Sequence, residues 1–165
     1  MLDVNKIKAR DLMRHHVVQL TSGMQIVDAL RVFEEAKISG APVTDSSGAL
    51  VGVLSLKDVA RPERMRAAKA PEENPGSAWN AYNEDEFDED EILAMDEYQG
   101  DNEQGETVGD WMNPEVVAVT PDASLKLVCE TLVDHGVHRV LVVEKGRLVG
   151  ILTTSDVVRY LARVG

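Results

Sequence analysis

The sequence predicts an α+β fold built of two tandem β-α-β-β-α repeats with pseudo-twofold symmetry. Three observations predict it. Residues 8–61 and 107–159 align on one another. Each copy carries one apolar stripe of helical period. Each then shows two strand-like runs joined by a turn that lead into a second helix.

The alignment rests on ordered identities. At an offset of 99 residues, Asp11, Met13, Val17, Val18, Thr21 and Val43 fall on Asp110, Met112, Val116, Val117, Thr120 and Val142. One residue fewer at the turn near Ser46 and Ser47 sets the offset to 98. Gly48, Leu50, Val51, Gly52, Leu54, Asp58, Val59 and Arg61 then fall on Gly146, Leu148, Val149, Gly150, Leu152, Asp156, Val157 and Arg159.

Within each copy the elements follow in order. Val17–Leu20 and Val116–Val119 read as short first strands. Ile26, Ala29, Leu30 and Phe33 have the i, i+3, i+4, i+7 spacing of one helix face, and Leu125, Val128, Cys129 and Leu132 repeat it. Ala41–Thr44 and Val140–Val143 read as second strands, and Leu50–Leu54 and Leu148–Leu152 as third strands. The turns between them contain Gly48 and Gly146, which tolerate positive φ. Second helices start at Ser55 and Thr153, and Pro62 interrupts the first of them where the other copy has Tyr160. One such repeat is small for a core of its own, so two copies packing their sheets face to face are expected to share one. The expected organisation is repeat one in 1–70, an acidic insertion in 71–106 and repeat two in 107–165.

The charge belongs to the insertion. The net charge of −12 includes twelve acidic residues between Glu84 and Glu106, with no Lys or Arg among them. Without them the chain holds 17 acids and 17 bases. Such a segment reads as a solvated linker, or as one anchored on the fold by Trp79, Tyr82, Phe87 and Ile92–Met95. The lack of a basic stripe argues against a nucleic-acid partner. No apolar run is long enough to cross a bilayer, and Met1–Lys6 shows no signal-peptide character. With the single cysteine, Cys129, this points to a reducing, cytoplasmic location.

The chemistry concentrates where a strand runs into a helix, at Gly52-Val53-Leu54-Ser55-Leu56-Lys57-Asp58 and Gly150-Ile151-Leu152-Thr153-Thr154-Ser155-Asp156. Ser55 and Thr153 suit a helix N-cap, and Asp58 and Asp156 three residues on suit a capping box. The same hydroxyl and carboxylate suit a ribose phosphate: helix amides and the hydroxyl toward phosphate, the carboxylate toward the ribose diol. Capping alone accounts for the pattern, and the two readings do not exclude each other.

The doubled unit, the lead-ins Asp11-Leu12-Met13 and Asp110-Trp111-Met112, and the doubled Gly-h-h-Ser/Thr-x-x-Asp stretch resemble cystathionine-beta-synthase (CBS) domains in a tandem pair, a Bateman module. The resemblance implies a regulatory role with no catalysis and no required cofactor. It implies an adenosine-type ligand (AMP, ADP, ATP or S-adenosylmethionine) in clefts between the repeats, a homodimer and an effector protein as partner. It places Asp58 and Asp156 on ribose and Ser55 and Thr153 on the phosphate side. Thr21, Thr120 and the residues starting the second strand would line the base pocket: Ser39, Gly40 and Ala41 in one copy, His138, Arg139 and Val140 in the other.

The copies differ there. Arg139 is a planar cation suited to phosphate, and Gly40 in the aligned place has no charge. Pro42, usual in the family, is replaced by Leu141. Unequal sites follow, the second favouring a phosphorylated ligand. His15, His16, His135 and His138 lack the companions of a metal site. Cys129 on the apolar stripe reads as core, and no nucleophile–base–orienter set is evident. The alternative to ligand sensing is a dimeric interaction scaffold without a small-molecule ligand.

Overall fold

The computed structural model describes residues 3–60 and 106–164. The acidic insertion before Glu106, with its aromatic residues, and Pro62 lie outside the described residues. The chain divides into two compact units, one formed by Val18–Glu115 and the other by Met1–Val17 with Val116–Gly165. No helix among the described residues is long and apolar enough to cross a membrane.

In chain order the elements are α1 (Ala9–Leu12), β1 (Leu20–Thr21), α2 (Ile26–Ala36), β2 (Gly40–Thr44), β3 (Leu50–Ser55), α3 (Leu56–Ala60), α4 (Val108–Trp111), β4 (Ala118–Val119), α5 (Leu125–Asp134), β5 (Arg139–Glu144), β6 (Arg147–Thr153) and α6 (Thr154–Val164). The predicted β-α-β-β-α order holds in both copies. β1 pairs parallel with β2, and β2 pairs antiparallel with β3. β4, β5 and β6 repeat that three-stranded sheet. The first strands are shorter than expected, two residues each.

The apolar stripes face inward as their spacing predicts. Ile26, Ala29, Leu30 and Phe33 of α2 are buried against Val43 and Leu54 in the core of the β1–β3 unit. Leu125, Val128 and Leu132 of α5 are buried with Val140, Val142 and Leu152 in the β4–β6 unit. The two helices end differently at the equivalent place. Lys37 adopts φ 54° where Gly136 adopts φ 61°. Glycine carries that left-handed conformation without a Cβ penalty. The hairpin turns differ too. Lys145 and Gly146 both take positive φ in a two-residue turn. In the other copy the Asp45 carboxylate accepts from the amides of Ser47 and Ala49 and from the Ser47 hydroxyl, and Gly48 takes φ 83°. Those bonds, the hydroxyl's foremost, hold the Asp45 carboxyl below its usual value.

The compact units do not coincide with the sequence repeats. The lead-in of each repeat belongs to the unit that carries the other repeat's sheet. Neither α1 nor α4 was anticipated from the sequence, since four residues are too few to show a helical period. Asp11 and Asp110 cap them: Asp11 accepts from the Lys8 amide at 2.8 Å, and Asp110 from the Thr107 amide at 2.9 Å. In the β1–β3 unit, the Val108 amide donates to the Met24 carbonyl, Gly109 to Ser22, and Ile26 to Glu106. In the β4–β6 unit, Ala9 donates to Ala123, Arg10 to Pro121, and Leu125 to Ile7, while Arg10 also pairs with Asp122. Val108 and Trp111 consequently sit in the core beside Phe33, and Ala9 in the core beside Val128.

After each short helix the lead-in closes the free edge of the sheet. Val53 and Asn113 exchange backbone bonds of 2.9 and 2.8 Å, and Ile151 and Arg14 exchange bonds of 3.0 and 2.8 Å. This pairing explains the glycine of the strand–helix stretch. A Cβ on Gly52 would lie 2.6 Å from the Asn113 carbonyl oxygen and 2.9 Å from the Met112 sulfur. One on Gly150 would lie 2.7 Å from the Met13 sulfur and 2.9 Å from the Arg14 carbonyl oxygen. The carbonyls cannot retreat without breaking the bonds they accept.

Gly52→Ala and Gly150→Ala are therefore each expected to lower stability by about 1–3 kcal/mol, the usual cost of forcing atoms into packed space. Gly23→Ala, where a Cβ meets nothing within 4 Å, should change stability by a few tenths at most. Urea denaturation of the three variants checks this. Equal midpoints for Gly52→Ala and Gly23→Ala would refute the close-approach argument.

Candidate functional site

In the β1–β3 unit, β3 runs into α3 at Ser55 without an intervening loop. The Leu56 amide, first of the helix, donates to the Ser39 carbonyl at 2.9 Å. The Ser55 amide and hydroxyl both donate to Asp58 Oδ2, at 2.8 and 2.9 Å, and the Asp58 amide donates to Ser55 Oγ at 3.3 Å. This is a reciprocal capping box. Gly40 pairs with Ser55 across the ladder, and Ala41 with Leu54. Ser39, Gly40, Ala41, Ser55 and Asp58 are thus brought together, all but Asp58 buried. Burial pushes the Asp58 carboxyl above its usual value, against the bonds from Ser55 that favour the charged form.

The β4–β6 unit repeats the arrangement. The Thr154 amide donates to the His138 carbonyl at 2.9 Å. The Thr153 amide and hydroxyl donate to Asp156 Oδ2 at 3.0 and 2.8 Å, and the Asp156 amide donates to Thr153 Oγ1 at 3.2 Å. Arg139 pairs with Thr153, and Val140 with Leu152. Arg139 is buried, with 4% of its surface exposed, while His138 is exposed.

Two further cations meet here. Arg14 Nε lies 3.4 Å from Asp156 Oδ2, and Arg159 Nη1 lies 3.4 Å from Oδ1. Arg159 sits one turn along α6, an i, i+3 neighbour. Arg14 comes from the lead-in of the other repeat. Sequence reasoning missed it, because its relation to Asp156 arises only from the exchanged lead-ins. The sequence signal was its place directly after Asp11-Leu12-Met13. The aligned residue of the other copy is Asn113.

Thr21 and Thr120 lie apart from these clusters. β1 runs parallel to β2, so Thr21 falls beside Thr44. Gly40 and Ser55 lie at the opposite end of β2, about 13 Å away at roughly 3.3 Å per residue. Thr120 follows Val119, which pairs with Val142, three residues beyond Arg139. Both threonines therefore lead into the turns before α2 and α5. The stretch preceding the first strand is what runs beside the cap. The Val117 carbonyl accepts from the Leu141 amide at 3.1 Å. Pro42, lacking an N–H, cannot make the equivalent bond to Val18.

Cys129 is half-buried against the β4–β6 core. Burial, and then the charge of Glu130, push its thiol above the usual value, which fits the core reading.

A family model described as the CBS domain matches residues 9–62 and again residues 108–163. CBS domain-containing protein CBSX2, chloroplastic, of Arabidopsis thaliana is 31% identical over 149 residues, 87% of this chain and 57% of that protein. The crystal structure of CBSX2 in complex with AMP superposes with a TM-score of 0.64 at 24% identity, covering 96% of this chain and 98% of the other. The cytosolic domain of the Mg2+ channel MgtE, in complex with ATP, superposes with a TM-score of 0.61 at 27% identity, covering 94% of this chain and 49% of the other. The chain spans 42% and 57% of the length of two curated relatives it matches, so it corresponds to about half of each.

The raised Asp58 carboxyl has a pH signature. A native pKa above the unfolded 3.8 means the folded state binds the proton more tightly. The associated stability is fully present below that value and is lost as pH rises through the native pKa. Asp58→Asn removes this loss while keeping an acceptor for Ser55. From about pH 4 upward, urea midpoints should therefore shift in favour of Asp58→Asn relative to wild type. A difference that stays constant with pH would contradict the burial of a charged Asp58.

Proposed function

The chain belongs to the CBS-domain family as a tandem pair, and on that premise we propose that it is a regulatory module that binds an adenosine-type ligand and passes the bound state to a partner protein. The observation that carries the reading is the doubled strand–helix junction, where a hydroxyl and a carboxylate converge beside the start of the second strand. Asp58 and Asp156 take the ribose diol. Ser55 and Thr153 hold those carboxylates through their hydroxyls, and Arg139 adds charge on the phosphate side in the β4–β6 unit alone. The ATP bound to the MgtE domain and the AMP bound to CBSX2 support the ligand class.

Signalling then requires that the ligand bind two arrangements of the module with different affinity. A homodimer is the natural platform for such a change. Val27 on α2 and Val158, Leu161 and Val164 on α6 are exposed apolar residues that a second copy would cover.

Thermal-shift measurement with AMP, ADP, ATP and S-adenosylmethionine tests the ligand class. A ligand at 100 times its Kd adds about 2.7 kcal/mol of stability. Silence across the panel would favour the ligand-free dimeric scaffold. Calorimetry on Arg139→Ala and Ser39→Ala tests the inequality of the sites. Nucleotide binding should weaken more in Arg139→Ala, and equal losses would remove the inequality. Light scattering should return the mass of a dimer. A monomer at high concentration would count against dimeric signalling.

A further inference from the structure

We infer that Arg14 determines the ligand specificity of the β4–β6 site: it alternates between Asp156 and a ligand phosphate, so that this site selects phosphorylated over unphosphorylated adenosine ligands. The inference rests on the proposed function, in which Asp156 receives the ribose diol.

The carboxylate of Asp156 is heavily engaged. Oδ2 receives the Thr153 amide, the Thr153 hydroxyl and the Arg14 guanidinium, while Oδ1 faces Arg159. A ribose diol brings only neutral donors. If it displaces Arg14 from Asp156, an ion pair gives way to hydrogen bonds from neutral hydroxyls, and the guanidinium loses its counter-ion. An unphosphorylated nucleoside has nothing with which to compensate. A ligand phosphate compensates directly, because two of its oxygens can accept from the planar donor fork of the displaced guanidinium. Arg14 is placed for this exchange, its side chain 45% exposed beside a carboxylate that is itself only 8% exposed. Arg159 stays one turn away on α6 and keeps Oδ1 paired meanwhile.

The β1–β3 site makes the opposite choice with the same backbone. Asn113 occupies the position of Arg14, with the same two-way backbone pairing to the third strand. Gly40 occupies the position of Arg139. No cation stands at either of these two places, so the lead-in and the strand start give a phosphate no guanidinium there, and among the described residues no arginine must leave Asp58 before a diol binds.

The probes are AMP and adenosine, titrated calorimetrically into the full chain. Asp58→Ala serves as the background, so that the heat reports on the β4–β6 site. Adding Arg14→Asn should lower AMP affinity about tenfold, the scale of one lost charge-assisted bond, and leave adenosine affinity equal or higher. Arg14→Lys should retain part of the AMP preference. In the otherwise wild-type chain, Asn113→Arg should raise AMP affinity at the β1–β3 site. Circular dichroism confirms that each variant is folded, and Arg14→Lys carries the test if Arg14→Asn is not. Equal losses for AMP and adenosine would make Arg14 merely structural and overturn the inference. So would an AMP preference that survives Arg14→Asn, or a background in which binding vanishes while wild type binds. If the wild-type chain binds neither compound, the proposed function itself falls, and this inference with it.

Discussion

The structure depends on a reciprocal pair of backbone hydrogen bonds made twice, Val53 with Asn113 and Ile151 with Arg14. Each joins the lead-in of one repeat to the third strand of the other repeat's sheet. It covers an edge that would otherwise offer unpaired amides and carbonyls. It requires glycine at positions 52 and 150, because the partner's carbonyl oxygen occupies the place of a Cβ. It also delivers α1 and α4 to the cores they complete. A small three-stranded sheet with one covering helix buries little apolar surface, and the borrowed Val108, Trp111 and Ala9 extend it.

The same pairing sets what lies next to each candidate site. Both junctions use one capping box, with the carboxylate accepting two bonds from the residue that ends the strand. In the β4–β6 unit the exchanged lead-in brings a guanidinium to that carboxylate. In the β1–β3 unit it brings an amide, and burial raises the Asp58 carboxyl despite the bonds from Ser55. The lead-in, far away along the chain, thereby adds a cation to one strand–helix cap and an amide to the other.

The repeat, the element order and the inward faces of α2 and α5 were legible because they are periodic or duplicated. So was the junction of Ser55 with Asp58 and of Thr153 with Asp156, whose partners are three residues apart. Ser39–Ala41 and His138–Val140 were named through the family resemblance, and the ladder pairing of Gly40 with Ser55 and of Arg139 with Thr153 brings them to the junctions. Thr21 and Thr120 lie away from the caps for a topological reason. The family resemblance named them, but the parallel pairing of β1 with β2 carries Thr21 to the other end of its sheet, and that of β4 with β5 does the same for Thr120. Gly52 and Gly150 were visible as identities without a cause, since the atoms that exclude a Cβ come from the other repeat. Arg14 was illegible for the same reason: its partner is 142 residues away and nothing local announces the pairing. The boundaries 1–70 and 107–165 describe the duplication, while the packing units exchange residues 1–17 and 106–115 between them.

Because of that exchange, neither repeat holds all the residues of one packing unit. A cut within the acidic insertion would not release two independent folding units. The N-terminal fragment would carry β1–β3 without Val108 and Trp111, and the C-terminal fragment would carry β4–β6 without Ala9 and the Arg14 edge. Each fragment would hold the missing piece of the other, so the two are complementary in the sense of a split protein, reassembling in trans through the contacts the intact chain makes in cis.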